Sequence, residues 1–309
     1  MDVFKLRQHI VDEYASYTQS FLQIRDPRIN DYVQRELQSG KLWPDALVQL
    51  SPSYEPADDI DTLVAAHILH EDCARIFRSE RDGTKQPFKL YRHQRRAIDF
   101  AQQRKHFVVT TGTGSGKSLT YMLPIIDHVL KHKPEQGRVR AIIVYPMNAL
   151  INSQDQALKR FFSNYGPNPP VRFARYTGQE SEAAKREIQQ NPPHILLTNY
   201  VMLELMLTRP EENAFVDKST ALLDFVVLDE LHTYRGRQGA DVALLMRRLR
   251  ERSGNPNLLC IGTSATMASG EEGQDTRVAV ASVASTIFGV NIAPDQVIEE
   301  TLIQATSAF

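Results

Sequence analysis

Downstream of Gly83 the chain alternates short, wholly apolar runs with amphipathic stretches of helical period. The apolar runs predict strands at Phe107–Thr110, Ala141–Tyr145, Val171–Tyr176, Ile195–Thr198, Phe225–Leu228 and Leu258–Gly262. Between them the helical period predicts Tyr91–Gln103, Ser118–Lys131, Leu150–Phe162, Glu180–Gln190 and Ala240–Arg252, with a further helix-like stretch at Val278–Phe288. Within Ala240–Arg252, Val242, Leu245, Met246 and Leu249 share one core-facing stripe, and Arg247, Arg248, Arg250 and Arg252 read as the solvated side. Strands without polar alternation, each followed by a helix, imply an α/β fold with a mostly parallel sheet and helices on both faces. Ligands of such sheets bind at the carboxyl ends of the strands.

Residues 1–83 have a different texture. Phe4, Ile10, Val11, Tyr14, Tyr17 and Phe21 recur at helical spacing, and Asp61 is placed to cap a helix carrying Leu63, Val64, Ile68 and Ile76. The Pro-bearing stretch Trp43–Pro56 reads as a loop, and Asp82-Gly83 as a turn. The expected organisation is a helical accessory region, 1–83, before a single lobe, 84–309.

Composition narrows the class. With 309 residues, 42% hydrophobic, 24% charged and a net charge of −1, the chain suits a packed core rather than disorder. No apolar run approaches the ~18–20 residues of a membrane span, and the charged Met1–Arg7 start is no signal peptide, so no membrane contact and a cytoplasmic location are expected. Cys73 and Cys260 are far apart and form no metal-ligand spacing; they read as small buried side chains. The charge is unevenly spread: nine basic and fifteen acidic residues leave 1–83 at −6, and the rest at +5. Thr84–His106 holds seven basic residues and one acid, either a solvated face or a place to meet a polyanion.

The chemistry begins at the first strand. Phe107-Val-Val-Thr runs into Thr111-Gly-Thr-Gly-Ser-Gly-Lys-Ser118 and then a helix. This is the strand–glycine loop–helix context of a phosphate-binding loop, with Thr111 where the strict pattern has glycine. Thr113, Gly114, Ser115 and Gly116 would turn backbone N–H groups toward phosphate oxygens, Lys117 would reach the terminal phosphates, and Ser118 would hold Mg²⁺. A second apolar strand ends in Asp229-Glu230-Leu-His232. Asp229 at the sheet edge would hold the metal and Glu230 would polarise the attacking water. The two motifs together point to nucleoside triphosphate hydrolysis. The absence of an NKxD base-reading motif argues against a GTPase.

Gly-Ser-Gly-Lys-Ser118, Asp-Glu-Leu-His232 and Ser264-Ala-Thr266 stand in the order and rough spacing of the DExH-type superfamily-two helicases, which this chain resembles over about 88–290. The resemblance implies a RecA-like lobe, ATP and Mg²⁺ as ligands, and nucleic acid as partner. Pro146-Met-Asn148-Ala-Leu150, Thr177-Gly178 and Leu197-Thr198-Asn199-Tyr200 are similar to the family's three nucleic-acid-gripping motifs, though Asn148 stands where many relatives carry a basic or hydroxyl residue. Leu90-Tyr91-Arg-His-Gln94 resembles the motif whose Gln recognises the adenine edge, with Tyr91 or Phe88 either stacking on the base or packing in the core. Ser264 and Thr266 would link nucleotide state to nucleic-acid grip; His232 either relays that signal or is a structural hydrogen-bonding residue. The Glu230–Gly236 stretch with Gly239 looks like the branch containing Lhr and the MrfA-type repair helicases, with DISARM-type phage-defence helicases nearby. That branch implies ATP-driven movement, usually 3′ to 5′, on single-stranded or partly duplex DNA, RNA being the lesser expectation.

A motor of this kind needs a second RecA-like lobe carrying an arginine finger, and after Thr266 only a helix-like stretch and the acidic Glu299-Glu300 remain. The expectation is therefore one lobe of a longer protein, binding nucleotide weakly and turning it over slowly alone, without the zinc cysteines of the MrfA type. A non-catalytic module that holds DNA or a protein, with 1–83 docking a partner, is the alternative.

Overall fold

A computed structural model of the chain describes residues 2–21, 24–39, 53–81, 83–112, 114–132, 138–221, 223–265 and 273–303. It forms two compact units, Met1–Pro52 and Ser53–Phe309. The first holds α1 (Val3–Ser20) and α2 (Pro27–Gln38), each opened by an aspartate: Asp2 accepts from the Phe4 N–H at 3.1 Å, and Asp26 from the Arg28 N–H at 2.9 Å. The loop expected at Trp43–Pro56 lies, up to Pro52, outside the described residues.

The second unit opens with β1 (Pro56–Asp59), α3 (Ile60–Ala65), α4 (Glu71–Ile76), β2 (Arg78–Arg81), β3 (Thr84–Pro87) and β4 (Lys89–Tyr91). The compact unit thus starts at Ser53, whereas the sequence pattern placed its boundary at Gly83. Ile60, Leu63, Cys73, Ile76 and Phe77 are buried in the same core as the sheet, and each large apolar side chain so buried contributes about 1.5–3 kcal/mol. β1 also pairs antiparallel with β4. The helix expected after Asp61 starts two residues earlier: Asp59 accepts from the Thr62 N–H at 2.8 Å, while Asp61 pairs with Arg78 at 2.8 Å. It breaks at His67, whose φ of 57° is left-handed, so α3 and α4 are separate.

The sheet elements follow: α5 (Arg92–Gln102), β5 (Phe107–Thr110), α6 (Leu119–Lys131), β6 (Ala141–Tyr145), α7 (Asn148–Ser163), β7 (Phe173–Arg175), α8 (Glu182–Gln190), β8 (Ile195–Asn199), α9 (Tyr200–Thr208), α10 (Pro210–Thr220), β9 (Phe225–Leu228), α11 (Gly236–Ser253), β10 (Leu259–Ser264), α12 (Gly273–Phe288) and β11 (Val297–Glu299). Seven strands pair in the order β11-β5-β10-β9-β6-β8-β7, every pair parallel. The six expected strands are all present, and β11 is a seventh.

Successive residues point to opposite faces. Ala141, Ile143, Phe225 and Val227 enter the core under α3–α7, and Ile142, Val144, Val226 and Leu228 the core under α9–α12. Three of the four arginines expected on the solvated side of α11 have partners within the fold. Arg247 and Arg250 donate to carbonyls at the C-terminal end of α12, including Phe288 at 3.2 Å, and Arg252 binds Asp217 at 2.8 Å. The arginines at the start of α5, within the basic segment 84–106, also have partners in the fold: Arg92 pairs with Glu55 at 2.8 Å, Arg95 with Asp58 at 3.5 Å and Asp99, and Arg96 reaches the Asp295 carbonyl at 2.8 Å, while Lys85, Lys89 and Lys105 are exposed.

At the amino edge of the sheet Asp224 is the hub of a half-buried charge cluster, with Arg140 at 2.7 Å, His128 at 3.1 Å and Arg104 at 3.9 Å. Burial pushes its carboxyl up, but His128, Arg140 and Arg104 outweigh it, so its pKa lies below the ordinary value. Asp224→Asn is expected to cost about 3 kcal/mol of stability at neutral pH, because two guanidinium groups lose their counter-charge. The pKa is depressed in the folded state, so the carboxylate's contribution is present above the ordinary aspartate pKa and is lost as pH falls through the depressed one. Urea unfolding of both proteins across acid pH checks this: the gap should close at low pH, and no gap at neutral pH would refute it.

Candidate functional site

The residues following β5, β10 and β9, neighbours in the sheet, converge at its carboxyl edge. After β5 the phosphate-loop sequence turns through Gly114 and Gly116, at φ of 82° and 73°, into the first turn of α6. These left-handed angles are open to glycine and strained for other residues. Thr111, the departure from the strict pattern, has a physical role here: its hydroxyl lies 2.6 Å from that of Ser115, both buried, and braces the loop from within. Thr113 lies outside the described residues.

The loop is held from behind. Gln94, buried at the start of α5, accepts from the Tyr91 N–H at 2.9 Å and donates to the Gly116 carbonyl at 3.1 Å. His93 Nε2 lies 2.9 Å from the Ser115 carbonyl, and burial keeps its pKa low. In this structure Gln94 is a strut for the loop's carbonyls. Tyr91 lies beside Tyr54 and His93, ring centroids 5.2 and 5.7 Å away, whereas Phe88 packs toward the core against Phe161. Glu300, just past β11, accepts from the Gly112 N–H at 2.6 Å.

Lys117 ends 3.6 Å from Glu230 Oε1, joining the two halves of the motif across the sheet. Its Nζ is buried without a hydrogen-bond partner, as is Glu230 Oε2. Asp229 is buried, and its pKa is pushed up to about 6: burial dominates, Thr263 opposes it, and the neighbouring Glu230 adds to it. Beneath lie the buried Tyr121 and Tyr145 hydroxyls, 3.3 Å apart. Glu230 has a left-handed backbone, φ 54°, in a turn where Leu231 packs so close to Gly262 that no Cβ would fit there. An orphaned buried ammonium beside carboxylates, with Ser118 at the start of α6, is chemistry suited to a polyphosphate and a hard, oxygen-seeking cation such as Mg²⁺.

Of the coupling candidates, His232 and Ser264 lie together. His232 Nδ1 lies 3.3 Å from Ser264 Oγ and accepts from the Ala265 N–H at 3.2 Å. Thr266 lies outside the described residues. Sequence reasoning missed Thr263, which is fully buried. Its hydroxyl donates to Asp229 Oδ1 and accepts from the Glu230 N–H at 3.2 Å. One hydroxyl therefore holds both acids. Its only signal was its place on the strand beside β9, where Gly262 pairs with Leu228.

The nucleic-acid candidates lie along the other half of the same edge, after β6, β8 and β7. Pro146, Asn148, Gly178 and Asn199 line one depression of about 350 Å³, and Asn199 donates to Asn148 at 2.8 Å. Thr177 and Thr198 are buried. Thr177 donates its N–H and hydroxyl to Glu180, each at 2.6 Å, and Thr198 donates to the Tyr176 carbonyl at 2.7 Å, so both shape the edge from within.

Comparison with known proteins agrees with this geometry. Residues 91–273 match the sequence family described as DEAD/DEAH box helicase. The Druantia protein DruE of Escherichia coli is 27% identical, over 60% of this chain and 16% of DruE. The ATP-dependent helicase Lhr-Core of Sulfolobus acidocaldarius is 29% identical, over 69% of this chain and 25% of its own length. A crystal structure of the helicase MrfA bound to DNA matches with a TM-score of 0.61 at 22% identity, covering 86% of this chain and 32% of MrfA, a likeness of fold. The chain thus spans about a third or less of each of these proteins.

Proposed function

Because this chain belongs to the DEAD/DEAH box helicase family, we propose that it is the ATP-binding lobe of an Lhr/MrfA-like motor that couples MgATP hydrolysis to movement along single-stranded DNA. The observation that carries the reading is the buried Lys117 ammonium, which faces Glu230 at 3.6 Å beside the glycine loop but makes no hydrogen bond. A buried ammonium with unmade hydrogen bonds is costly, and a bound triphosphate relieves that cost.

In this reading loop amides and Lys117 bind the phosphates, and Glu230, one residue beyond a strand end, takes the proton of the attacking water. When bound, Mg²⁺ held by Ser118 and Asp229 would neutralise charge on the phosphate oxygens. Thr263 keeps the two acids in register, while His232, Ser264 and Thr266 transmit the nucleotide state. Loops at 146–148, 177–178 and 198–199 grip the strand. A second RecA-like lobe in the whole protein completes the motor with an arginine finger, a group worth ~10³–10⁵ in rate. Movement from 3′ to 5′, a cytoplasmic setting and a protein partner for the N-terminal accessory region belong to the same proposal.

ATP turnover with single-stranded DNA and with RNA of the same sequence tests it. Stimulation by DNA above RNA is expected; stimulation by RNA alone assigns the motor to RNA, and none by either refutes a translocating motor. Thr263→Val should lower kcat about tenfold or more, since it removes the tether of both acids, and Thr263→Ser should restore it. Equal activity of the valine and serine variants would make the hydroxyl irrelevant.

A further inference from the structure

The depression at 146–148, 178, 199–202 and 205 has a chemistry that phosphate contact alone does not explain. None of its lining residues is charged. Met147 and Val201 are 55% and 47% exposed, large apolar side chains that stand in solvent at the carboxyl edge of the sheet. Val201 and Leu205 are one helical turn apart on α9 and share a face, with Tyr200 beside them. The rim is amide: Asn199 caps α9 by accepting the Met202 N–H at 2.8 Å and donates to Asn148 Oδ1 at 2.8 Å. That leaves the Asn148 Nδ2 donors to meet a ligand edge.

A phosphate seated here would be desolvated against methionine and valine with no cation in reach, which is unfavourable. A flat, uncharged ring with hydrogen-bonding edges fits both the apolar walls and the carboxamide rim. α7 starts at Asn148, one of the lining residues, with no side-chain cap, so the N–H groups of its first turn have no partner within the helix. Walls for a ring next to amides for a phosphate match one nucleotide unit. We propose that the depression receives an unstacked base of single-stranded DNA, whose phosphate lies against the first turn of α7. This rests on the DNA-tracking reading above and deepens it: one base per step is seated in lobe side chains while the backbone is gripped. The contact would be tolerant of sequence, because every base has an apolar face.

The test uses fluorescence anisotropy with this chain and two labelled single strands of about twelve nucleotides, one ordinary and one abasic throughout. The ordinary strand should bind about fivefold or more tightly, as expected for a base seated against Tyr200 and its apolar neighbours. Met147→Ser with Val201→Ser, both at exposed positions, should bring the two affinities within about twofold. Equal binding of the two strands by the unaltered chain overturns the base pocket and leaves the backbone grip standing. Preference retained by the double variant places the base elsewhere and overturns the assignment. Binding of neither strand overturns the nucleic-acid reading of this chain, and the pocket with it.

Discussion

Lys117→Ala is expected to lower nucleotide affinity about a hundredfold and to reduce ATP turnover by ~10³ or more, the scale of losing a preorganised charge in a water-poor site. The side chain is 11% exposed, its Nζ has no hydrogen-bond partner, and its nearest acid is Glu230 at 3.6 Å. Alanine also takes away the ammonium that faces Glu230, so a loss of stability is expected beside the loss of binding. Titration with a fluorescent ATP analogue, beside a thermal melt, separates the two effects. An affinity within about threefold of the parent, with the fold intact, would show that the phosphates bind elsewhere.

Glu230→Gln should do the opposite to binding and the same to turnover. The amide keeps the shape, so nucleotide affinity is retained or raised as one carboxylate leaves the vicinity of the phosphates. The general base is lost, and turnover should fall by about 10²–10⁴. The backbone at Glu230, φ 54°, is a left-handed conformation that costs on the order of 1–3 kcal/mol for a non-glycine residue. Glutamine bears the same backbone cost, so any change in stability reports the lost ion pair with Lys117. Single-turnover hydrolysis by the bound complex is the measurement. Activity above about a tenth of the parent would move the base role to another group.

The strands were legible because parallel strands buried on both faces must be apolar without alternation. Phe107–Thr110, Ala141–Tyr145 and Phe225–Leu228 are fully buried and were read at the right places. β11 was missed because three residues at a sheet edge carry too little pattern. β1 was missed because Pro-Ala-Asp-Asp contains no strand-forming residue; pairing with β4 makes it a strand. α9 is apolar around most of its circumference and α10 mixes polar and apolar residues, so neither shows a clear stripe. The basic run at 84–106 invited a polyanion reading, and only packing reveals Glu55, Asp58 and the Asp295 carbonyl as its partners.

The chain's own order of residues was enough to specify the glycine loop, the Asp229-Glu230 pair and the α/β class, because each depends on chemistry or period within a short window. What needed the folded chain was everything set by neighbours distant in sequence. Thr263 matters because parallel pairing puts Gly262 beside Leu228 and carries the next residue to the acids. Gln94 is a strut because α5 lies behind the loop. Met147 and Val201 share a wall because β6 and β8 are adjacent. Strand order decides these contacts, and no local pattern encodes strand order, since the central strands β5, β6, β9 and β10 all satisfy the same requirement of burial on both faces.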